Sequence, residues 1–181
     1  MTTMTEGLRN NSKNCTGCGA CYQVCPVDAI RMLPDAKGFY RPVVAEAFCI
    51  NCSKCEIICP VLHPIVNNST RPDCYAAWAG DELREKSSAG GLFTLLSQHI
   101  LSSGGVVFGA IWTDDFYIKH VCAHSEAEIA AMRKSKYLQS STCKTFLEVR
   151  DFLNSDIPVL YTGCPCQIAG LRKFIGNNDS N

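Results

Sequence analysis

Thirteen cysteines stand out in this 181-residue sequence. Eight of them lie in the first third of the chain and form two copies of one pattern, C-x2-C-x2-C-x3-C-P, that start 34 residues apart. The first copy contains Cys15, Cys18, Cys21 and Cys25, and the second contains Cys49, Cys52, Cys55 and Cys59. Thiolates repeated at such short spacing are typical ligands of a metal centre, because sulfur binds soft metals strongly.

This spacing is the one with which bacterial ferredoxins hold [4Fe–4S] clusters. Three thiolates on a tight loop reach three irons of one cubane, and small residues such as Gly17 and Gly19 let backbone N–H groups approach its sulfides. In two-cluster proteins the fourth cysteine of each motif binds the other cluster. The sequence therefore predicts one cluster held by Cys15, Cys18, Cys21 and Cys59, and a second held by Cys49, Cys52, Cys55 and Cys25.

Zinc and disulfides are the alternative explanations of these cysteines. A zinc site uses two C-x2-C pairs, which gives no role to the third cysteine of each motif or to the proline that follows the fourth. Disulfides belong to secreted proteins, and the N-terminal residues MTTMTEGLRN lack the apolar core of a signal peptide. We therefore expect a cytoplasmic iron–sulfur protein.

Charge and hydropathy exclude two classes of protein. Seventeen basic residues balance seventeen acidic ones, so nothing in the charge favours nucleic-acid binding. No apolar run approaches the 18 residues of a transmembrane helix, so we expect no transmembrane segment. With 46% hydrophobic residues the chain should fold.

The distribution of motifs and periodic segments predicts two domains. Residues 1–62 are assigned to an α+β ferredoxin-like domain with two clusters, residues 63–73 to a linker, and residues 74–181 to an α/β domain. In the first domain a strand, a turn and a second strand separate the cysteine motifs, with four core candidates: Ile30, Met32, Phe39 and Val43. In the second, predicted strands at 74–79, 106–112, 117–123 and 157–161 alternate with helices at 92–101, 125–132 and 142–153 and from 163 onward. The helix at 92–101 has Leu92, Phe93, Leu96 and Ile100 on one face, which we expect to be its inner face.

Three segments of the second domain have side chains or backbone suited to ligand binding. Ser87-Ser-Ala-Gly-Gly91 precedes a helix, where free N–H groups can cradle a phosphate, with an ordinary Ser N-cap and flexible glycines as the alternative. Residues 135–140 combine a cation, an aromatic ring and an amide, with a solvated loop as the alternative. Cys166 follows a strand-to-helix turn, where a helix N-terminus lowers a thiol pKa; a structural thiol is the alternative. A buried structural thiol is the alternative for Cys164 as well, whereas Cys74, Cys122 and Cys143 are expected to be core or half-buried residues.

The order of these motifs resembles the coenzyme F-420 hydrogenase/dehydrogenase beta-subunit family. The resemblance is carried by YAAW at 75–78, SSAGGLF at 87–93, GGVVFGA at 104–110, SKYLQS at 135–140 and GCPCQIAGL at 163–171. It implies a flavoprotein that passes electrons between iron–sulfur clusters, FAD and a redox partner protein or a deazaflavin-type or flavin-type small molecule. It also implies a set of candidate cofactor contacts: Ser87, Ser88, Gly90, Gly91, Ser135, Lys136, Tyr137, Gln139 and Cys166.

The resemblance also implies a further C-terminal region after the GCPCQIAGL helix, so we expect the α/β domain to be truncated and to bind FAD weakly or not at all. Two functions follow as hypotheses. The chain is either an electron-transfer part of a flavin-dependent oxidoreductase, or a non-catalytic ferredoxin-like electron carrier whose α/β part docks a redox partner. The presence of bound flavin distinguishes the two.

Overall fold

The computed structural model describes residues 14–64 and 73–176, which form two compact units. The first unit combines residues up to 64 with two later segments, 141–147 and 164–176, and the second contains residues 73–140 and 148–163. The predicted linker lies largely outside the described residues, as does the polar tail at 177–181. The predicted domains at residues 1–62 and 74–181 stay a prediction, because a compact unit defined by contacts need not fold independently.

Short helices and strands alternate along the described part of the chain. In chain order they are α1 (Ala20–Val24), β1 (Ile30–Pro34), β2 (Tyr40–Val44), a 3-10 turn (Glu46–Phe48), α2 (Lys54–Ile57), α3 (Asp81–Glu85), α4 (Leu92–Ser102), β3 (Val106–Trp112), β4 (Ile118–Ala123), α5 (Glu126–Met132), β5 (Ser140–Ser141), α6 (Thr145–Asn154), β6 (Val159–Tyr161) and α7 (Pro165–Ile175).

The strand–turn–strand predicted between the cysteine motifs is confirmed as the antiparallel hairpin β1–β2. Asp35 closes its turn, because one carboxylate oxygen accepts hydrogen bonds from the backbone N–H groups of Lys37 and Phe39. These bonds, with help from Arg41, hold the pKa of Asp35 below its usual range. The hydrogen bonds of Asp35 therefore stabilise the turn and fix the position of the hairpin in the sequence.

The core of the cysteine-rich region is small. Its buried cluster consists of Ile30 and two cysteines, Cys21 and Cys55. Phe39 and Val43, predicted as core residues, are each about half exposed, so that prediction is wrong. Neighbouring side chains of a strand point to opposite faces, and in β2 it is Val44 that packs against the cluster. Two of the three buried positions are thus candidate metal ligands.

The second unit is built on a mixed four-stranded sheet with the strand order β5-β4-β3-β6. β3 pairs antiparallel with β4 and parallel with β6, and its first four residues are buried. The α/β prediction is confirmed for β3, β4 and β6 and for the helices between them. Val107, Ala123, Ile129 and Met132 form the buried cluster between this sheet and its helices.

Two sequence predictions about the second unit are wrong. Residues 74–79 form no strand, and Tyr75 and Trp78 are exposed, because apolar composition does not make a strand without a partner to pair with. In α4 the predicted inner residues Leu92 and Leu96 are exposed, whereas Ser97 is buried. The Ser97 hydroxyl donates to the Phe93 carbonyl at 2.7 Å, so this polar side chain is satisfied inside.

Among the described residues, no helix is both long and apolar enough to cross a membrane.

Candidate functional site

The eight motif cysteines surround two separate cavities in the first unit. One is lined by Cys15, Cys18, Cys21 and Cys59, together with Gly17, Gly19, Ala20, Met32 and Pro60. The other is lined by Cys25, Cys49, Cys52 and Cys55, together with Ala29, Ile30, Val44 and Ile50. We call these sets the first and second tetrads. The fourth cysteine of each motif thus lies with the three leading cysteines of the other motif, which is the grouping that crossed ligation requires.

The chemistry of both donor sets fits an iron–sulfur cubane. Four thiols line each cavity, and the other lining side chains are mostly apolar. A cubane takes one thiolate on each of its four irons, so its ligands surround a volume and do not converge on one point. Within residues 14–64 and 73–176, no group of three or more His, Cys, Asp or Glu side chains is placed to hold a single metal ion.

Backbone N–H groups point at several of the ligand sulfurs. Gly17 donates to Cys15 Sγ at 3.4 Å, and Ala29 donates to Cys25 Sγ at 3.3 Å. The N–H of Ala20 interacts with Cys18 Sγ and partly offsets the rise in the pKa of that thiol. Such donors stabilise the charge on a cluster and orient its ligands.

Burial disfavours free thiolates at these positions. It raises the pKa of Cys18 to about 11, with the neighbouring Cys59 and Cys15 adding to the effect. Burial also raises the pKa of Cys55 to about 11, helped by Glu56, and it shifts the pKa of Cys21 upward more strongly still. Without metal these thiols stay protonated at neutral pH. Iron binding would replace their protons, so metal affinity should rise with pH.

Each motif uses left-handed backbone positions to wrap its cavity. Gly17 and Gly19 have φ of 71° and 80° in the first motif, and the matching residues of the second motif, Asn51 and Ser53, have φ of 52° and 58°. Glycine adopts this region freely, whereas Ser53 is strained there. The two motifs therefore share one loop conformation although their sequences differ at these positions.

Solvent exposure distinguishes the two tetrads. Cys18 and Cys21 of the first tetrad are both buried, and Cys15 and Cys59 are half-buried. In the second tetrad only Cys55 is buried, and Cys52 is exposed to solvent. The cysteines of the second tetrad are therefore more exposed to solvent than those of the first.

A third cavity, of about 390 Å³, lies wholly in the second unit and brings together two of the predicted ligand segments. Five predicted contacts line it: Ser87, Ser88, Gly90, Gly91 and Ser135. The Ser135 N–H donates to the Ser88 hydroxyl at 2.8 Å, which ties the segments together. Arg133 and Lys134 also line this cavity. The sequence analysis missed both, although a basic pair directly before the SKYLQS motif was a usable signal.

The chemistry of this cavity fits a phosphate group. It adjoins the start of α4, whose N-cap Gly91 has φ of 79° and no side chain to cap the free N–H groups. A Cβ on Gly90 would lie 2.9 Å from the Ala77 carbonyl oxygen, so this backbone position has no room for a side chain. Free N–H groups at a helix N-terminus with two basic residues nearby favour an anion.

The remaining predicted flavin contacts lie elsewhere. The Lys136 amine donates to the carbonyls of Ala131, Met132, Arg133 and Lys134, at 2.8 to 3.2 Å, and so caps the end of α5. Tyr137 is 91% exposed, and Gln139 is half-buried outside the cavity lining. Cys166 belongs to the first unit, near enough to Cys18 to raise the pKa of that thiol slightly. Their contact with flavin stays a prediction.

The other four cysteines do not line either tetrad cavity. Cys122 and Cys143 are half-buried, as expected, whereas Cys74 is exposed, so the expectation is wrong for Cys74. Cys164 is exposed and is therefore not a buried structural thiol. Burial raises the pKa of Cys122 to about 11, and the carboxylates of Glu148 and Glu128 add to the shift.

The comparisons with known proteins agree with this geometry. Residues 14–62 match the 4Fe-4S dicluster domain, and residues 74–148 match the N-terminal part of the coenzyme F420 hydrogenase/dehydrogenase beta subunit. The resemblance inferred from the motifs is thereby confirmed. Residues 14–62 thus resemble an iron–sulfur dicluster domain, and residues 74–148 resemble the N-terminal part of this beta-subunit family.

Two curated relatives resemble parts of the chain. A subunit of the F(420)H(2) dehydrogenase of Methanosarcina mazei is 22% identical over 172 residues, which covers 90% of this chain and 49% of the relative. An uncharacterized ferredoxin of Methanocaldococcus jannaschii is 40% identical over 48 residues, covering 26% of this chain and 61% of the relative. The chain thus spans about half the length of the first relative.

Because cysteines supply most of its small core, the cysteine-rich region should depend on metal for its fold. We expect anaerobic iron chelation to abolish amide protection in β1 and β2, while β3 and β4 of the second unit keep theirs. Hydrogen exchange followed by mass spectrometry measures both hairpins in one sample. Equal loss of protection in both hairpins would contradict this expectation.

Proposed function

We propose that this chain holds two [4Fe–4S] clusters by crossed ligation and passes electrons between them and a flavin nucleotide, as part of a flavin-dependent oxidoreductase. The observation that carries the proposal is the grouping of the eight cysteines into two tetrads around separate cavities. The first cluster takes Cys15, Cys18, Cys21 and Cys59, and the second takes Cys25, Cys49, Cys52 and Cys55. The clusters supply one-electron transfer when bound.

The protein's own contribution is to hold the ligands and control access to them. Cys18 and Cys21 of the first tetrad are buried, so solvent would have little access to a cluster at these two ligands. The second tetrad exposes Cys52, so electrons exchange with an external redox partner most readily at that side. The partner is a redox protein or a deazaflavin-type or flavin-type molecule, and we place the reaction in the cytoplasm, where thiols stay reduced.

The cavity in the second unit is proposed to take the diphosphate of FAD. Its volume of about 390 Å³ falls at the lower end of the 300–1,000 Å³ range of ligand pockets. Arg133 and Lys134 supply positive charge, and the start of α4 supplies N–H donors. Lys134 is the cleaner test residue, because Arg133 also bonds Thr94 Oγ1 at 3.1 Å within the fold.

Iron analysis of paired cysteine variants tests the crossed ligation. Anaerobic reconstitution should load about eight irons per chain, since two cubanes need eight. The double variant Cys25→Ala/Cys49→Ala removes two ligands from one proposed cluster and should keep about four irons. Its matched control, Cys15→Ala/Cys25→Ala, removes one ligand from each cluster and should keep fewer.

The opposite ranking of the two double variants would show that each motif holds its own cluster. A wild-type chain that takes up zinc in place of iron would overturn the iron–sulfur assignment.

Fluorescence titration with FAD tests the nucleotide cavity. Replacing Lys134 with Gln removes one exposed charge near the proposed diphosphate, so FAD should bind about fivefold more weakly, equivalent to about 1 kcal/mol. ADP should compete with FAD, because the diphosphate carries the contact. Lys37→Gln, which removes a lysine from the β1–β2 turn, should leave the affinity unchanged.

Equal affinity of the Lys134→Gln variant and the wild type would place the diphosphate elsewhere. Absence of FAD binding in the wild type, with both clusters loaded, favours the second hypothesis, in which the chain is a ferredoxin-like electron carrier without flavin.

A further inference from the structure

A buried hydrogen-bond network reaches the first tetrad from a distant part of the sequence. Thr142 Oγ1 donates to the carbonyl oxygen of Cys18 at 3.2 Å. Gln23 of α1 holds that hydroxyl from the other side, because its Nε2 donates to Thr142 Oγ1 at 3.1 Å. The Phe146 N–H in turn donates to Gln23 Oε1 at 2.7 Å. Gln23 is 3% exposed and Thr142 is 4% exposed, so water does not compete for these bonds.

The network ends on the turn that presents Cys18 to its cavity. Gly19 has φ of 80° and lies against Thr142, so a Cβ at Gly19 would collide with Thr142 Oγ1. The N–H of the next residue, Ala20, interacts with Cys18 Sγ and partly offsets the rise in the pKa of that thiol. Thr142 therefore fixes the carbonyl of the turn from Cys18 to Ala20, and the Ala20 N–H of the same turn lies next to a ligand sulfur.

The α7 helix closes the same side of the tetrad. A Cβ added to Gly170 would lie 3.1 Å from Cys18 Sγ and 3.4 Å from the Ala20 side chain, so the helix backbone packs directly on the turn. The second motif differs at the matching turn, where Ser53 replaces Gly19 and Cys52 is exposed. The two clusters would thus occupy unlike environments although their motifs match.

We propose that Thr142, held by Gln23, is a positioning residue that fixes the Cys18–Ala20 turn and so sets the reduction potential of the first cluster. The inference rests on the two-cluster function proposed above. A cluster becomes more negative when it accepts an electron, and N–H donors to its sulfurs stabilise that reduced form. Loosening the turn weakens the Ala20 donor and should lower the potential of this cluster alone.

The Thr142→Val variant tests the inference, because valine has the shape of threonine but no hydroxyl. A redox titration followed by electron paramagnetic resonance resolves the two one-electron waves. A Cys52→Ser variant assigns them, since the wave that it moves belongs to the second cluster. In Thr142→Val the first wave should move to lower potential by about 30 mV or more, a threefold change in the reduction constant at 59 mV per tenfold. The second wave should stay in place.

Three further variants complete the design. Thr142→Ser keeps the hydroxyl and should restore the wild-type potential. Gln23→Met removes the amide that holds Thr142 and should move the same wave in the same direction, which provides a second test if the valine variant fails to fold. Thr145→Val is the matched control: it removes a buried hydroxyl from the same segment, one that bonds the Thr142 carbonyl and not Cys18.

The outcomes separate failure of this inference from failure of the proposed function. Two loaded clusters whose potentials do not respond to Thr142→Val or Gln23→Met would overturn the positioning role while leaving the two-cluster function intact. An equal shift in Thr145→Val would show that general loosening, and not the Thr142 hydroxyl, moves the potential. A wild-type chain with fewer than two clusters would overturn the proposed function itself.

Discussion

The crossing of the fourth cysteines is the constraint on which the arrangement of the cysteine-rich region depends. Cys25 follows the first motif but lines the cavity of the second, and Cys59 does the reverse. Neither tetrad can form unless both motifs come together, so the β1–β2 hairpin between them serves as a spacer of fixed length. The small buried cluster of Cys21, Ile30 and Cys55 lies where the motifs meet. Because two of these three residues are cluster ligands, binding of the clusters and packing of the core depend on each other in this part of the protein.

This dependence explains why a later segment of the chain joins the first unit. A region whose buried core is mostly cysteine has little apolar surface to bury on its own. Residues 141–147 and α7 supply additional burial, with the Phe146 and Phe174 rings 5.9 Å apart. Lys144 adds an ion pair with Asp28 at 2.6 Å and lies over the Tyr22 ring. The same segment places Thr142 against the first tetrad. The residues that stabilise the cysteine-rich region therefore include the one that we propose sets the reduction potential of the first cluster.

The sequence predicted those features whose residue spacing is determined by ligand chemistry. Ligand geometry dictates the cysteine motifs, so their spacing alone predicted the two groups of four that line the cavities. The buried strand β3 was equally readable from its unbroken apolar run. The inner face of α4 could not be predicted from its apolar residues. The hydroxyl of the buried Ser97 donates a hydrogen bond to a carbonyl of its own helix, and Leu96 is exposed to solvent. The Thr142–Gln23 network could not be predicted, since the two residues are 119 positions apart and Gln23 occupies a position that the cysteine motif leaves unspecified.

The central claim is that each cluster is held by three cysteines of one motif and the fourth of the other. Iron anomalous scattering from crystals of the anaerobically purified chain tests it most directly, because it locates the irons relative to every sulfur. We expect two four-iron sites, one bonded to Cys15, Cys18, Cys21 and Cys59 and the other to Cys25, Cys49, Cys52 and Cys55. Iron sites in which Cys25 shares a cluster with Cys15, or a single site in place of two, would contradict it.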